Sequence, residues 1–374
     1  MNVLVFSHMF DPSLGGIETV SRTLAEGFFA RGIPCKVVTL SPGPGTQFPF
    51  EVIRQPDKRQ IRELVNWADI VLFNGANMSM QPQVLFSRKP FVWVHQGYQA
   101  ACIDGAGWVD GERSPLTPWA SFLYHGRRSG WASGLVDGFK LMVRRFFARH
   151  LVTRNIAITQ WMDRLMPLPR QVHIYNPFSI EQFRGADGRP TDHTFFYAGR
   201  MVQEKGVDTL IRAFATVVQR SSSETPPRLL LIGDGSGRPA IEKLVKELGL
   251  ESSVTFAGKQ SGAALVDWVS RGQIGVLPSV WYEPMGGITV ELMAAGKCLI
   301  VSAEGGLAEC AGEAGLTFPN GDHDTLAERM LQLLADPELQ RSLSARARER
   351  AKKFLPSPFV DQYVALLREL SGQH

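Results

Sequence analysis

The stretch TFFYAGRMVQEKGVDTLIRAFATVVQR (194–220) contains the unit from which the whole chain is built. TFFYA is apolar without alternation, the pattern of a strand covered on both faces. GRMVQEKG follows as a short polar loop bounded by glycines. VDTLIRAFATVVQR then carries its apolar residues at helical spacing. Strand, loop and amphipathic helix in that order make half of a βαβ unit, and strands joined in this way pair in parallel.

The same alternation extends in both directions. Downstream, RLLLIGDG, VTFAG, IGVLPS, CLIVSAEGG and GLTF read as strands, with helical patterns such as DTLAERMLQLLAD among them. Upstream, the strand candidates are VLVFSH, KVVTL, DIVLFNG, FVWVHQ, IAIT and VHIYNP. A polar Gly/Pro stretch, FRGADGRPTDHT (183–194), separates the two series. The expected fold is therefore α/β, with two Rossmann-like doubly wound domains at 1–185 and 190–355 facing each other across a cleft. The last segment, SPFVDQYVALLREL, follows Pro356 and reads as a helix (357–374) crossing back onto the first domain. Ligands of such folds lie beyond the carboxyl ends of the strands, so the cleft is the expected site.

Composition agrees with this size and class. A chain of 374 residues is long for one compact domain. Its 44% hydrophobic and 20% charged content is ordinary for a globular protein. A formal charge of +4 is far from a nucleic-acid-binding balance, although it suits weak attraction to phosphorylated ligands or an anionic membrane. Cys35, Cys102, Cys298 and Cys310 show no C-x-x-C spacing and read as reduced thiols. MNVLVFSHMF has no basic leader and reads as a first strand, and no run reaches the roughly 18 apolar residues of a membrane span. The expected location is cytoplasmic, at most peripheral at the inner face of a membrane.

Several strand ends carry candidate chemistry. Gly15 and Gly16 precede a helix, where free N–H groups and the helix dipole favour an anion. The G-x-G-x-x-G spacing of dinucleotide-binding proteins is missing there, which argues against an NAD enzyme. His95 ends FVWVH, as either a structural hydrogen-bonding residue or a group facing the cleft. Arg200 stands at a strand tip and Lys205 just before a helix, flanked by Gly199 and Gly206. Two cations directed at one point suit a diphosphate, since they neutralise its ground-state charge and the charge of a departing nucleotide. LIGDGSGRP (231–239) lacks the Lys-Ser/Thr of a P-loop and reads as a loop at the edge of the site. In GDHD (321–324), Asp324 reads as a helix N-cap rather than a metal ligand.

IGVLPSVWYEP (274–284) is a strand running into a loop, so Glu283 lies near a strand's carboxyl end. Pro284 delays the next helix. GGITVELMAAG (286–296) then reads as a helix with Gly286 and Gly287 in its first turn. Glu291, four residues after Gly287, shares a face with that turn. A diphosphate on these N–H groups would have one carboxylate on each side, where each could accept from vicinal hydroxyls.

Taken in order, GGIE, VHQ, IAIT, YNPFSIEQF, GRMVQEKGVDTLIRAF, LIGDG, the E-x7-E segment, EGGLAECAGEAGLTF and GDHDTLAERM resemble a retaining glycosyltransferase of family four, with the GT-B fold, over essentially the whole length. The resemblance implies transfer of a hexose from a nucleotide-diphosphate sugar, UDP- or GDP-linked, to an acceptor hydroxyl. It assigns Glu291 to the ribose and Glu283 to the transferred sugar. Arg200 and Lys205 fall on the diphosphate, helped by backbone at Gly16 and Gly286–Gly287. His95 falls near the reaction centre and Thr159 among the cleft-lining residues. Gly15, Gly199, Gly233, Pro284, Met285 and Ile288 complete the donor-binding set. Met285 and Gly287 depart from the family, which commonly has an aromatic residue and a bulkier apolar residue at those places.

The resemblance further implies no metal and no cofactor, with front-face substitution in which the leaving phosphate takes the acceptor's proton. The acceptor would be a carbohydrate, a lipid-linked carrier or a small molecule. The alternatives are a sugar-nucleotide epimerase of the same fold and a non-catalytic nucleotide-sugar-binding partner subunit. The aromatic and basic part of 108–151, with Phe139, Val143, Phe146 and Phe147 beside Lys140, Arg144, Arg145 and Arg149, either packs into the first domain or lies on an anionic membrane through 136–151.

Overall fold

The computed structural model describes residues 1–12, 15–43, 48–75, 84, 87–178, 180–184, 193–221 and 226–372. The chain divides into two compact units, Met1–Ser179 with Leu355–His374, and Ile180–Phe354.

The first unit opens with β1 (Val3–Ser7), α1 (Gly16–Ala30), β2 (Cys35–Thr39), β3 (Glu51–Arg54), α2 (Lys58–Trp67), β4 (Ile70–Asn74) and β5 (Phe91–His95). A small antiparallel ribbon, β6 (Trp108–Val109) with β7 (Glu112–Arg113), precedes two helices, α3 (Pro118–Ser129) and α4 (Trp131–His150). β8 (Arg154–Ala157), α5 (Gln160–Leu165) and β9 (Gln171–His173) follow. Seven parallel strands run in the order β3-β2-β1-β4-β5-β8-β9. Every residue of β1, β4 and β5 is buried, as unalternating apolar runs require. The edge strand β3 was not readable as one, because its EVIR is half-covered and partly charged.

The second unit is β10 (His193–Ala198), α6 (Val207–Arg220), β11 (Leu229–Ile232), α7 (Arg238–Glu247), β12 (Val254–Gly258), α8 (Gly262–Ser270), β13 (Gly272–Leu277), α9 (Gly287–Ala294), β14 (Cys298–Ser302), α10 (Gly306–Ala311), β15 (Gly315–Phe318), α11 (His323–Ala335) and α12 (Pro337–Ala351). Its six parallel strands run β12-β11-β10-β13-β14-β15. Phe195, Leu210, Phe214, Ile274 and Ile300 belong to its fully buried core. The order reverses between β10 and β13, where a doubly wound sheet opens a crevice for ligands. α11 is capped by Asp322, whose Oδ1 accepts from the amides of Asp324 and Thr325 at 3.0 Å each. The cap is therefore not Asp324, which lies in the first helical turn.

The last helix, α13 (Pro356–Ser371), belongs to the first unit. Pro356 opens this helix instead of interrupting the chain, since a first-turn N–H has no intrahelical partner to lose. Its Val360 lies against α1, where a Cβ on Gly27 would come within 2.7 Å of Val360 Cγ1. Arg31, the C-cap of α1, ion-pairs with Asp361 at 2.7 Å, and Arg154 pairs with Glu369 at 2.9 Å. The four cysteines are free and buried. Burial pushes the thiols of Cys35, Cys102 and Cys298 up to about 12. Among the described residues no helix is long and apolar enough to cross a membrane.

Candidate functional site

In the second unit the loops leaving β10 and β13 meet where the strand order reverses. The first loop passes through Gly199 and Arg200 into a 3₁₀ turn, Gln203–Lys205, closed by Gly206 with φ 62°. A side chain at 206 would be excluded on two counts: the left-handed backbone, and a Cβ 2.1 Å from the carbonyl oxygen of Pro278. That close approach lets the two loops join, and the Val280 amide donates to Glu204 O at 3.0 Å. It also delivers Lys205 to Glu283, with Nζ 2.5 Å from Oε1.

Glu283 is buried, and its other oxygen accepts from Ser279 Oγ at 2.9 Å and Trp281 Nε1 at 3.1 Å. Burial alone would raise this carboxyl, yet the Lys205 ammonium and the three side-chain donors hold it below the ordinary carboxylate range. The Lys205 ammonium also lies 5.7 Å from the centre of the Trp281 ring. The backbone of Glu283 is fixed as well, its carbonyl accepting from the Gly306 amide at 2.7 Å. Asn320 braces the same turn by donating to Trp281 O and Glu304 O.

α9 starts three residues beyond Pro284. Its cap, Gly286, has φ 77°, and a Cβ there would come within 2.3 Å of Leu307. Pro284 and Met285 are buried, whereas Gly286, Gly287 and Ile288 are partly exposed. The helix's free amides thus emerge beside the ion pair, with the dipole's positive end directed outward. Glu291 is half-buried and lacks a hydrogen-bond or ion-pair partner among the described residues; burial pushes its carboxyl up to about 7. Gly233 follows β11 and donates to Gly258 O, and Gly199 donates to Ile232 O. Arg200 is exposed, 3.9 Å from Glu204, and outside the Lys205–Glu283 cluster.

The strand ends of the first unit differ. Gly15 caps α1 and Gly16 opens it, with open space where a Cβ on Gly16 would stand. Glu18, in the first turn, crowds Gly15 and itself occupies the positive end of the helix. His95 ends β5. Its ring is entirely buried, tilted against Trp93 with ring centres 4.3 Å apart, and its Nε2 lies 2.9 Å from Asn155 Oδ1. Burial lowers it to about 4, against a smaller opposing effect of Asn155, so the imidazole is neutral. The cause is the pleat: His95 follows Trp93 on the inner face of β5, and the next residue, Gln96, forms the tip.

Gln96 donates to Asn74 Oδ1 at 2.6 Å and exchanges bonds with Asn176, while Asn74 donates to Ser21 Oγ. Thr159 lies two residues beyond β8. It is fully buried and caps α5, its Oγ1 accepting from the Met162 amide at 3.2 Å, because a chain turning from strand to helix needs such an acceptor. Reading the sequence did not find Ser279, Trp281, Asn320 or the Gln96–Asn74–Asn176 network. The one usable sign was a serine four residues before Glu283, in a loop bounded by Pro278 and Pro284. Among the described residues no His/Cys/Asp/Glu cluster could hold a metal ion.

Comparison with solved structures defines the class. The sucrose-phosphate synthase of Thermosynechococcus elongatus is similar over 99% of this chain and 98% of its own, with a TM-score of 0.75 and 21% identity. HepE of Anabaena, solved in complex with UDP, is similar over 98% of both chains, with a TM-score of 0.71 and 18% identity. The chain has the GT-B fold of these glycosyltransferases. Residues 179–350, essentially the second unit, match the family model described as "Glycosyl transferases group 1", so the chain carries a domain of that family.

Curated relatives include the alpha-D-kanosaminyltransferase of Streptomyces kanamyceticus, 28% identical over 61% of this chain and 64% of that protein. The N-acetyl-alpha-D-glucosaminyl L-malate synthase of Bacillus anthracis is 35% identical over 43% and 42% respectively. The aligned part thus spans less than two thirds of each of these relatives.

Proposed function

We propose that this protein is a retaining glycosyltransferase that moves a hexose from a nucleotide-diphosphate sugar to an acceptor hydroxyl. The observation that carries this reading is the buried Lys205–Glu283 ion pair beside the N-terminus of α9 and the unpartnered Glu291, in the unit that carries the family domain. The UDP bound by HepE favours a UDP-sugar over its GDP counterpart. Lys205, the exposed Arg200 and the amides at Gly286–Gly287 hold the diphosphate. Glu291 accepts from the ribose hydroxyls, and Glu283 accepts from hydroxyls of the hexose.

In the transfer, the bond from the anomeric carbon to the diphosphate breaks and the leaving oxygen gains charge. Lys205, fixed by Glu283, is already in position to stabilise that charge. The same oxygen takes the acceptor's proton as the acceptor bonds to the anomeric carbon on the face just vacated. Nucleoside diphosphate and glycoside with retained configuration are the products. The chain's own cations supply the charge neutralisation, so the step needs no metal, and the location proposed is the cytoplasm. A panel of UDP-, GDP- and ADP-sugars tests this reading. One donor should raise Tm and release nucleoside diphosphate, with chelator leaving the rate unchanged. A panel in which no donor is bound or consumed would contradict it.

A further inference from the structure

Helices α3 and α4 form a hairpin whose inward and outward faces reverse the usual amphipathic order. On α4 the fully buried positions are Gly134, Leu141 and Ala148, spaced by seven residues. The aromatics point the other way. Trp131, Leu135, Phe139, Met142 and Phe146 are each more than half exposed, at 53–70%. At 3.6 residues per turn they fall within an arc of about 80° along the whole helix. Trp119 of α3, 70% exposed, extends the patch through Phe122 to Trp131, with ring centres 5.7 and 6.1 Å apart. Monomeric proteins rarely leave an apolar surface of this extent uncovered.

The charge around the patch identifies what covers it. Residues 118–151 contain five Arg and one Lys against a single Asp. Arg144 and Arg145 face inward, donating to the carbonyls of Cys102, Ile103 and Ala100. Lys140 pairs with Asp137 and Arg128 with Asp110 and Glu112. Arg127 and Arg149 are exposed, and their guanidinium groups make no ion pair or hydrogen bond among the described residues. Arg149 lies on the same side of α4 as Trp131, and Arg127 lines a groove with Leu123 and Tyr124.

A second copy of the chain would bring two such cationic faces together, which is repulsive. An apolar stripe flanked by free arginines and ending in tryptophans is instead complementary to an anionic lipid surface: the rings enter the headgroup boundary and the guanidinium groups meet phosphate. We propose that the outer face of the α3–α4 hairpin docks this protein on anionic lipid bilayers.

The docked hairpin is strapped to the loop that leaves β5. Beyond the arginine bonds to residues 100–103, the Ile103 amide donates to Ser121 Oγ at 2.9 Å. Asp104 accepts from three successive loop amides and from Ser114, and it lies 3.3 Å from His125 of α3. Lipid contact therefore sets the orientation of the strand tip at Gln96 relative to the bilayer.

Vesicle co-sedimentation of the whole protein tests the proposal, with phosphatidylcholine alone and with roughly 30 mol % phosphatidylglycerol. The protein is expected to sediment with the anionic vesicles, less so as salt is raised, and poorly with phosphatidylcholine. The triple variant Phe139→Ser/Met142→Ser/Phe146→Ser should lose binding by about tenfold or more, with Tm unchanged because all three side chains are exposed. Arg127→Glu/Arg149→Glu should reduce only the salt-sensitive part.

Equal binding of the triple variant, or no sedimentation with anionic vesicles at low salt, would overturn the proposal. So would a wild-type dimer that the triple variant dissociates without any effect on vesicles. Thermal stabilisation by UDP, measured on the same samples, should be identical in the variants. Its absence from all of them would count against the transfer reaction and leave docking standing.

Discussion

The two units solve the same topological problem with opposite chemistry. Each is a doubly wound parallel sheet with a reversal of strand order. In the second unit the loops at the reversal bring an ammonium and a carboxylate within 2.5 Å, with a carboxyl on the neighbouring helix that has no partner among the described residues. In the first unit the corresponding strand ends hold amides, a hydroxyl network and a neutral buried imidazole. The fold alone therefore does not dictate a charged site. The second unit becomes one because Gly206 lets its loop close on Pro278, which puts Lys205 where only an anion can balance it.

The largest break in this contrast is expected from Lys205→Ala. Glu283 would remain buried without its cation, at a cost of about 3–5 kcal/mol of stability. Turnover should fall by roughly 10²–10³ as the leaving diphosphate loses its nearest charge. Chemical denaturation and initial rates measure the two separately. A Lys205→Met/Glu283→Gln double variant should regain much of the stability and none of the activity. Wild-type turnover in Lys205→Ala would remove the assignment.

Glu291→Gln acts next on the scale, through the donor. Losing charge-assisted bonds to the ribose should weaken nucleotide binding by about 1.5–3 kcal/mol. The ionised carboxylate accepts from hydroxyls much more strongly than the neutral acid does, and burial pushes this carboxyl up to about 7 in the free protein. Apparent Kd should therefore rise by up to about fivefold between pH 7 and pH 6 in the wild type. In Glu291→Gln the profile should be flat, as calorimetry across that range would reveal. A wild-type profile as flat as the variant's would refute the role given to this carboxyl.

The same groups give the units opposite acid responses. Glu291 is raised from 4.5 to about 7, so the folded chain holds more protons than the unfolded one in that window, and stability falls as pH rises through it. His95 is lowered from 6.5 to about 4, so the unfolded chain holds more protons there and stability is lost as pH falls. Each group contributes about 1.4 kcal/mol per pH unit, and the two oppose each other in the wild type between about pH 4.5 and 6.5. Glu291→Gln should show the His95 slope in urea titrations, with acid weakening the fold more steeply than in the wild type. An unchanged slope would deny that Glu291 is protonated in the folded state.

The smallest effect belongs to Trp281→Phe. It removes one hydrogen bond to Glu283 and keeps most of the ring, so about 1 kcal/mol of stability should go, with a modest loss of turnover.

The contrast also explains what could be read from the sequence. All six strands of the second unit were legible because each is a short, mainly apolar run bounded by glycine, proline or polar residues, and Val207–Arg220 emerged with its bounds. The edge strand β3 and the ribbon β6–β7 were not, since neither buries enough apolar surface to leave a pattern. Lys205 and Glu283 were legible as residues, but their pairing, 78 positions apart, follows only from the reversal of strand order. At His95 and Thr159 a position at the end of a strand does not by itself give the direction of the side chain. The pleat turns His95 inward, and the following helix takes Thr159 as its cap. On α4 the aromatic residues were visible, but their outward direction was not, because periodicity marks a face without saying which way it points.

The most direct test is the anomeric configuration of the sugar transferred to water by slow hydrolysis of the donor that the nucleotide-sugar panel selects, followed by proton NMR before mutarotation. From an α-linked nucleotide sugar the α-anomer should appear first, with its rate of appearance in Lys205→Ala reduced in proportion to the turnover. Initial appearance of the β-anomer, or an undiminished rate in that variant, would contradict the proposed transfer.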